Sequence, residues 1–190
     1  MDVSRVVRGA GTAGTEMVPI YVVRHAKAGN RARWTGPDTE RPLTRSGREQ
    51  AAALTGLFAG RPLARLVTSP YVRCVQTLEP LAQERELPLE TFPGLAEGAP
   101  FEATLTLALE TAQLGPAVLC THGDVIELLL HHLVHHHVPL ETPGEIELKK
   151  GSTWTLQVRD GDVVGAEYLP PPAGDRAKEA EPVNRKTYAR

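Results

Sequence analysis

Short, continuous apolar runs alternate along the chain with segments in which apolar residues recur at helical spacing. Runs of this kind predict strands buried on both faces, and we place four of them at 19–23, 64–68, 87–92 and 117–120. Helices are predicted between and after them, over 46–59, from Ser69-Pro70, from Pro100 and from about Gly123. Strand–helix alternation of this kind predicts an α/β fold with a mostly parallel central sheet.

Individual residues define where these helices begin and which face they bury. Serine caps helices and proline suits the first helical position, so Ser69-Pro70 predicts a helix start. The helix after Pro100 is expected to bury one apolar stripe. Its members are Phe101, Leu105, Leu109 and Ala112. The helix after Gly123 is apolar nearly all round, which predicts burial. Its apolar residues are Val125, Ile126, Leu128, Leu129 and Leu130.

The C-terminal part of the sequence changes to strand periodicity. Ile146–Leu148, Ser152–Val158 and Val163–Leu169 alternate in hydropathy and are joined by turn residues at Gly151 and Asp160-Gly161. They predict antiparallel strands at a sheet edge. The predicted fold is therefore a three-layer α/β/α sandwich, with a mostly parallel central sheet and antiparallel edge strands near the C-terminus.

The termini differ in composition from the rest of the chain. Residues 1–16 are small, polar and glycine-rich and predict a disordered extension; 17–170 form the predicted domain, and 171–190 a charged, proline-led tail. The stretch 9–14 matches the dinucleotide-binding glycine pattern. That motif requires a preceding strand and a following helix, and here a strand follows, so we reject it. Met17 is an alternative translation start.

Charge is distributed unevenly. The chain has 190 residues and a net charge of −2, which argues against a general nucleic-acid binder. Between Arg24 and Arg48, however, seven Lys and Arg face two acidic residues, Asp38 and Glu40. This basic segment predicts an anionic ligand, with a solvated loop as the alternative. Because no apolar run approaches the ~20 residues of a membrane span and no signal-peptide core is present, we expect a cytoplasmic protein.

The cysteines and histidines give little support for a metal site. Cys74 and Cys120 fit no disulfide framework or zinc spacing, and Cys120 is expected to be a small buried hydrophobe. A histidine-rich segment has pairs four residues apart, which would share a helix face. Its members are His131, His132, His135, His136 and His137. No carboxylate or cysteine pattern accompanies them, so we predict neither a metal nor a cofactor.

Two of the predicted strands end in histidines. Arg24 and His25 follow the first strand, and His122 and Gly123 follow the fourth, while Arg73 lies in the first turn of the helix after Ser69-Pro70. If the strands are adjacent and parallel, these groups meet at one sheet edge, where α/β proteins bind ligands. Guanidinium forks and a helix N-terminus suit a tetrahedral oxyanion, and an imidazole there could accept a phosphoryl group.

The motifs at these positions resemble those of the histidine phosphatase (phosphoglycerate mutase-like) superfamily. The matching segments, in family order, are Val23–Ala26, Arg41–Ala51, Ser69–Thr77 and Thr121–Gly123. The resemblance covers roughly residues 19 to 169. It implies a phosphohistidine intermediate on His25. The phosphoryl oxygens would be held by Arg24, Arg73 and His122.

Two departures narrow the resemblance. Ala26 replaces the family's usual glycine, as in the short phosphatases related to SixA, the phosphohistidine phosphatase. The asparagine of mutase-type members is not in register, because Arg31 stands at that position and Asn30 precedes it; mutase activity is not expected. The loop 27–34 and the Leu169–Pro171 ending are similar to the phosphatase half of actinobacterial Nudix–phosphatase fusions, although no Nudix box precedes it.

Several polar residues receive more specific expectations. Glu97 resembles the family's general acid, with an exposed glutamate near a turn as the alternative, and Asp124 competes for that role or serves as a helix-start residue. Lys27, Arg31 and Arg33 are expected to hold further phosphates of a substrate, together with Gly123 at the helix start. Trp34 either stacks a nucleobase or pins its loop.

These expectations combine into one predicted activity. The chain is expected to be a metal-independent phosphomonoesterase that acts through phosphohistidine on a small phosphorylated metabolite or nucleotide. A protein phosphohistidine phosphatase of the SixA type is an alternative enzyme. A weakly catalytic phosphate-binding module is an alternative of another class.

Overall fold

Strand β1 (Val18–Arg24) lies inside a seven-stranded sheet in the computed structural model, which describes residues 16–172. The other strands are β2 (Arg65–Thr68), β3 (Leu89–Thr91), β4 (Ala117–Thr121), β5 (Leu140–Glu141), β6 (Thr153–Arg159) and β7 (Asp162–Leu169). The helices are α1 (Arg45–Leu57), α2 (Val72–Arg85), α3 (Phe101–Ala112) and α4 (Gly123–His135). The strand order is β3-β2-β4-β1-β6-β7-β5.

Helices cover both faces of this sheet, because side chains of a strand point alternately to its two sides. Tyr21 and Val23 of β1 pack with α1 and α2, whereas Ile20 and Val22 pack with α3 and α4. All four side chains are buried. The predicted three-layer α/β/α sandwich is confirmed.

The strand directions bring the two histidine-bearing strand ends together. Strand β1 pairs in parallel with β4, with Arg24 opposite Thr121, so His25 and His122 follow at the same edge. On its other side β1 pairs antiparallel with β6, which pairs antiparallel with β7. The β6–β7 turn has positive φ at Asp160 (54°) and Gly161 (86°), the conformation that a two-residue hairpin requires.

One predicted helix start and one predicted strand are wrong. Helix α2 begins at Val72 with no side-chain cap, because the Ser69 hydroxyl contacts the His122 ring instead. The predicted strand Ile146–Leu148 is irregular chain. Its carbonyls bind side chains rather than a neighbouring strand: that of Glu147 accepts a hydrogen bond from the Trp154 indole at 3.0 Å.

The buried faces of two helices also differ from expectation. Leu128 is 53% exposed, so α4 has a solvent-facing side and is not buried all round. In α3 the predicted Ala112 is buried together with Thr104, Leu107, Ala108 and Thr111, while the predicted Phe101, Leu105 and Leu109 are only partly buried against the core. The α3 stripe is therefore rotated toward these neighbouring positions.

The predicted extension and tail, and the 9–14 glycine pattern, lie almost entirely outside residues 16–172. Within those residues, no helix has the length and apolarity that crossing a bilayer would require.

Candidate active site

The two histidines that follow β1 and β4 meet at the sheet edge, as their spacing in the sequence predicts. The ring centroids of His25 and His122 are 5.3 Å apart, and both side chains are buried. His25 and Arg24 line a cleft of ≈ 870 Å³ that continues toward the loop after β1 and the segment before β6. Position and burial suit a small reactive centre with a larger adjoining binding space.

His25 is oriented with one ring nitrogen free. Its Nδ1 lies 2.8 Å from the Ala26 carbonyl oxygen, which can only accept, so Nδ1 carries the proton. The Nε2 atom then carries the lone pair. Burial, together with the charges of His122, Arg73 and Lys150, lowers the pKa of His25 to about 3. The imidazole is thus neutral and nucleophilic across the physiological pH range.

Arg73 is the most enclosed cation of the site, with no exposed side-chain surface. Its Nη1 donates to the Asp38 carbonyl at 2.7 Å and lies 3.1 Å from the Asp38 carboxylate, and its Nη2 donates to Glu97 at 2.7 Å. The guanidinium stacks over the Tyr71 ring at 4.4 Å. Its Nε is buried and has no hydrogen-bond partner in the described part of the chain, and Arg73 does not itself line the cleft.

His122 is fixed from two sides. The Ser69 hydroxyl lies 2.9 Å from its Nε2, and Arg73 Nη2 lies 3.4 Å from its Nδ1. Arginine can only donate, so Nδ1 accepts from Arg73, and Nε2 carries the proton that the Ser69 hydroxyl accepts. Cys74 Sγ is 3.5 Å from the same Nε2, and Cys120 is buried, as predicted.

Arg24 packs directly on the start of α4. Its guanidinium donates to the Leu148 carbonyl, and its Nε is a second buried donor without a partner among residues 16–172. A Cβ at Gly123 would lie 2.8 Å from Arg24 Cζ, closer than real contacts allow. Gly123, predicted to bind substrate, therefore provides the space in which the Arg24 guanidinium lies.

Glu97 bridges two arginines at the rim of the site. Its carboxylate accepts from Arg73 and, at 2.7 Å through Oε1, from Arg31. The next residue, Gly98, donates its backbone N–H to the Asp124 carboxylate at 2.8 Å, so Asp124 holds the Glu97 turn from the start of α4. The two acidic residues considered as proton donors are thus joined through the Gly98–Asp124 hydrogen bond, and Glu97 is the one beside Arg73.

Asp38 and Arg41 are site residues that sequence reasoning missed. Arg41 is buried, donates to Asp38 at 2.8 Å and donates to the Gly29 carbonyl at 2.7 Å. Hydrogen bonds from Arg41 and Arg31, with the charge of Arg73, hold the pKa of Asp38 well below its usual range. The sequence did contain a signal for Asp38: it is an acidic residue within a basic loop, and buried guanidiniums need a carboxylate partner.

The remaining predicted loop residues separate into two groups. Lys27 and Arg31 line the cleft, joined by Lys150, for which the sequence offered no signal. Arg33 is exposed and does not line it. Trp34 donates its indole N–H to the Pro37 carbonyl at 2.9 Å, which supports the loop-pinning interpretation.

The histidine-rich segment lies on α4 and just after it. His132 packs against Phe101, with ring centroids 4.9 Å apart, and against His136 at 4.3 Å. Among residues 16–172 no group of three or more His, Cys, Asp or Glu side chains is arranged to hold a metal ion. These contacts are packing interactions at the edge of the α3–α4 layer.

Taken together, these groups form a cationic pocket around a neutral imidazole. Arg24 and Arg73 supply guanidinium donors, and α4 begins beside them with its positive end. The chemistry of these groups suits a tetrahedral oxyanion, whose charge fixed cations can stabilise.

Comparison with known sequences agrees with this chemistry. Residues 20–104 match the sequence model of the histidine phosphatase superfamily (branch 1). A curated relative, the 8-oxo-(d)GTP phosphatase of Mycolicibacterium smegmatis, is 42% identical over 158 residues, which cover 80% of this chain and 48% of the relative. The chain spans about half the length of the curated relatives it matches.

Solved structures share the fold at low sequence identity. The protein histidine phosphatase SixA, complexed with tungstate, aligns with a TM-score of 0.62 and 17% identity, covering 80% of this chain and 94% of SixA. A mycobacterial glucosyl-3-phosphoglycerate phosphatase aligns with a TM-score of 0.61 and 16% identity, covering 84% of this chain and all of that one (100%). These values show that the chain and the two phosphatases share one overall fold.

Proposed function

Because this chain belongs to the histidine phosphatase superfamily, we propose that it removes a phosphoryl group from a small phosphorylated metabolite or nucleotide through a phosphohistidine on His25. The observation that carries the proposal is the orientation of His25. Its Nδ1 is committed to the Ala26 carbonyl, which leaves the Nε2 lone pair for attack, beside a buried guanidinium pocket. The same residues combine a nucleophile with an oxyanion site.

The reaction has two phosphoryl transfers. His25 Nε2 attacks the phosphorus, the bond to the leaving oxygen breaks, and that oxygen departs with the electron pair. Water then attacks the phosphohistidine, the P–N bond breaks, and its electron pair returns to Nε2. Arg24, Arg73 and His122 hold the phosphoryl oxygens in both steps.

A nucleotide is the substrate class with most support. The relative from Mycolicibacterium smegmatis is named for a nucleoside triphosphate substrate, and this chain covers only 48% of it. The cleft of ≈ 870 Å³ beside His25 lies within the range of about 300–1,000 Å³ that holds a nucleotide-sized ligand. Its cationic lining suits a substrate with several negative charges.

Trapping the intermediate tests the proposal. Nitrophenyl phosphate with a labelled phosphoryl group should transfer the label to the wild type, in an acid-sensitive, alkali-stable form. The His25→Ala variant should take up no label and lose turnover. His131→Ala, an exposed histidine of α4, is the matched control and should label normally. Turnover by His25→Ala near the wild-type rate contradicts the mechanism, and activity confined to phosphohistidine-bearing protein favours a SixA-type enzyme.

A further inference from the structure

Two lysines, Lys27 and Lys150, line the same cleft as Arg24 and His25, and one side chain holds the backbones of both. Gln50 of α1 accepts the Lys27 backbone N–H at 2.9 Å and donates to the Lys150 carbonyl at 3.3 Å. The Gly151 N–H in turn donates to the carbonyls of Arg24 (3.1 Å) and His25 (3.3 Å). The backbones that carry the two lysines are therefore held beside the nucleophile by hydrogen bonds.

The charges of this pair are not balanced by carboxylates. Within residues 16–172, neither Lys27 nor Lys150 has a carboxylate oxygen within 4.0 Å. The neighbouring cations differ, since Arg31 pairs with Asp38 and Glu97. Burial and the nearby guanidiniums, Arg24 first among them, lower the pKa of Lys150, as expected for an ammonium that faces a cationic site. A second anionic group next to the transferred phosphoryl group would relieve this repulsion.

The surroundings of Glu97 restrict the leaving group. Both of its oxygens accept from guanidinium N–H groups, Oε1 from Arg31 at 2.7 Å and Oε2 from Arg73 at 2.7 Å. A carboxyl group that gives a proton to an alkoxide must carry that proton on one of these oxygens, where the arginine donors already point. Arg31 and Arg73 therefore hold Glu97 through hydrogen bonds that its oxygens accept, and a leaving group that departs without protonation would need no proton from it.

Building on the proposed function, we infer that the substrate's terminal phosphoryl group is joined to another phosphate, and that Lys27 and Lys150 bind this leaving phosphate. The bond that breaks is a phosphoanhydride P–O bond. Its bridging oxygen leaves with the electron pair as part of the phosphate held by the two ammonium groups, so no proton donor is required. The substrates are nucleoside di- or triphosphates, or inorganic polyphosphates that share the anhydride.

Substrate preference provides the first test. We expect the wild type to hydrolyse GDP with a kcat/KM at least roughly tenfold above that for GMP, because the alkoxide of GMP lacks a proton donor. If inorganic pyrophosphate is hydrolysed at a rate similar to that of GDP, the anhydride itself is the recognised group. If GDP is hydrolysed and pyrophosphate is not, the enzyme recognises the nucleoside as well as the anhydride. A wild type that prefers GMP overturns the inference.

Charge removal provides the second test. Lys27→Gln and Lys150→Gln should each lower kcat/KM for GDP by roughly ten- to a hundredfold, the loss of one charge-assisted contact, and should lower that for nitrophenyl phosphate by less. Arg33→Gln is the control, because Arg33 is exposed and does not line the cleft; it should leave the ratio of the two substrates unchanged. Equal losses on both substrates in the Lys27 and Lys150 variants contradict a leaving-phosphate site.

Glu97→Gln separates the two roles of that residue. A loss confined to GMP would mark Glu97 as the proton donor of an alkyl-phosphate hydrolase and overturn the leaving-group inference. Losses of kcat/KM that are similar for GDP and GMP support the leaving-group inference. Failure of the inference differs from failure of the proposed function. A wild type that labels on His25 but prefers monoesters contradicts only the leaving-phosphate inference. A wild type that takes up no label and hydrolyses none of the substrates contradicts the proposed function.

Discussion

Replacing Gly123 by alanine should inactivate the site without unfolding the protein. The new Cβ would lie 2.8 Å from Arg24 Cζ and Nε and 2.9 Å from Nη2, so the guanidinium must move away from the start of α4. Gly123 itself has no positive φ, and alanine fits its backbone conformation. The perturbation therefore acts on the position of Arg24 and hardly on the helix.

The size of the effect follows from what Arg24 contributes. Loss of one oriented donor from an oxyanion site costs roughly 10²–10³ in kcat. We expect Gly123→Ala to lower kcat for nitrophenyl phosphate by about 10²-fold, the lower end, because a displaced guanidinium keeps its charge nearby. Alanine favours a helix over glycine by up to about 1 kcal/mol, so Tm should change by no more than a few degrees.

Steady-state kinetics and thermal unfolding of matched variants check this reasoning. Gly56→Ala in α1 is the control, because its Cβ would meet no atom within 4 Å; it should keep full activity. If the effect passes through Arg24, the Arg24→Ala/Gly123→Ala double variant should match Arg24→Ala within roughly twofold. Activity of Gly123→Ala within twofold of the wild type, or additive losses in the double variant, would refute it.

Three further predictions concern pH, the missed loop residue and metal. The folded-state pKa of His25, about 3, lies below its ordinary value of 6.5, so the unfolded chain binds the proton more readily and the free energy of unfolding falls as pH decreases from 6.5 toward 3. Urea unfolding at about pH 7 and pH 5 measures this fall. The fall should be smaller in His25→Ala than in the wild type by on the order of 2 kcal/mol. Asp38→Asn should lower kcat/KM roughly ten- to a hundredfold by releasing Arg73, while Glu40→Gln, exposed in the same turn, should match the wild type; equal effects would remove Asp38 from the site. EDTA should leave activity unchanged, and activity lost with EDTA and restored by a divalent ion would contradict a metal-independent mechanism.

Much of the fold was predictable because it depends on local patterns. The short apolar runs of β1 and β4 predicted buried strands, and the parallel pairing of these strands places Arg24 and His25 beside His122. Asp160-Gly161 specified its hairpin turn, since both residues tolerate positive φ. Residues at strand ends are positioned by the sheet, so their convergence followed from the alternation of strands and helices.

Other features depended on contacts that no local pattern encodes. Ser69 has the residue type and position of a helix cap, yet its hydroxyl contacts His122, 53 residues away. Asp38 became part of the site because the loop after β1 folds over α2 and places a carboxylate against Arg73. Loop conformations are determined by many weak long-range contacts, so the sequence showed the charges but not their partners.

The sequence alone therefore determined which residue types could perform the chemistry and at which sheet edge they meet. Only the tertiary structure decided how each of them is held: the free nitrogen of His25, the arginine-bound state of Glu97, and the placement of Lys150 through Gln50. The physical reason is that strand periodicity acts over a few residues, whereas burial of a charged group is decided by side chains brought together from distant parts of the chain.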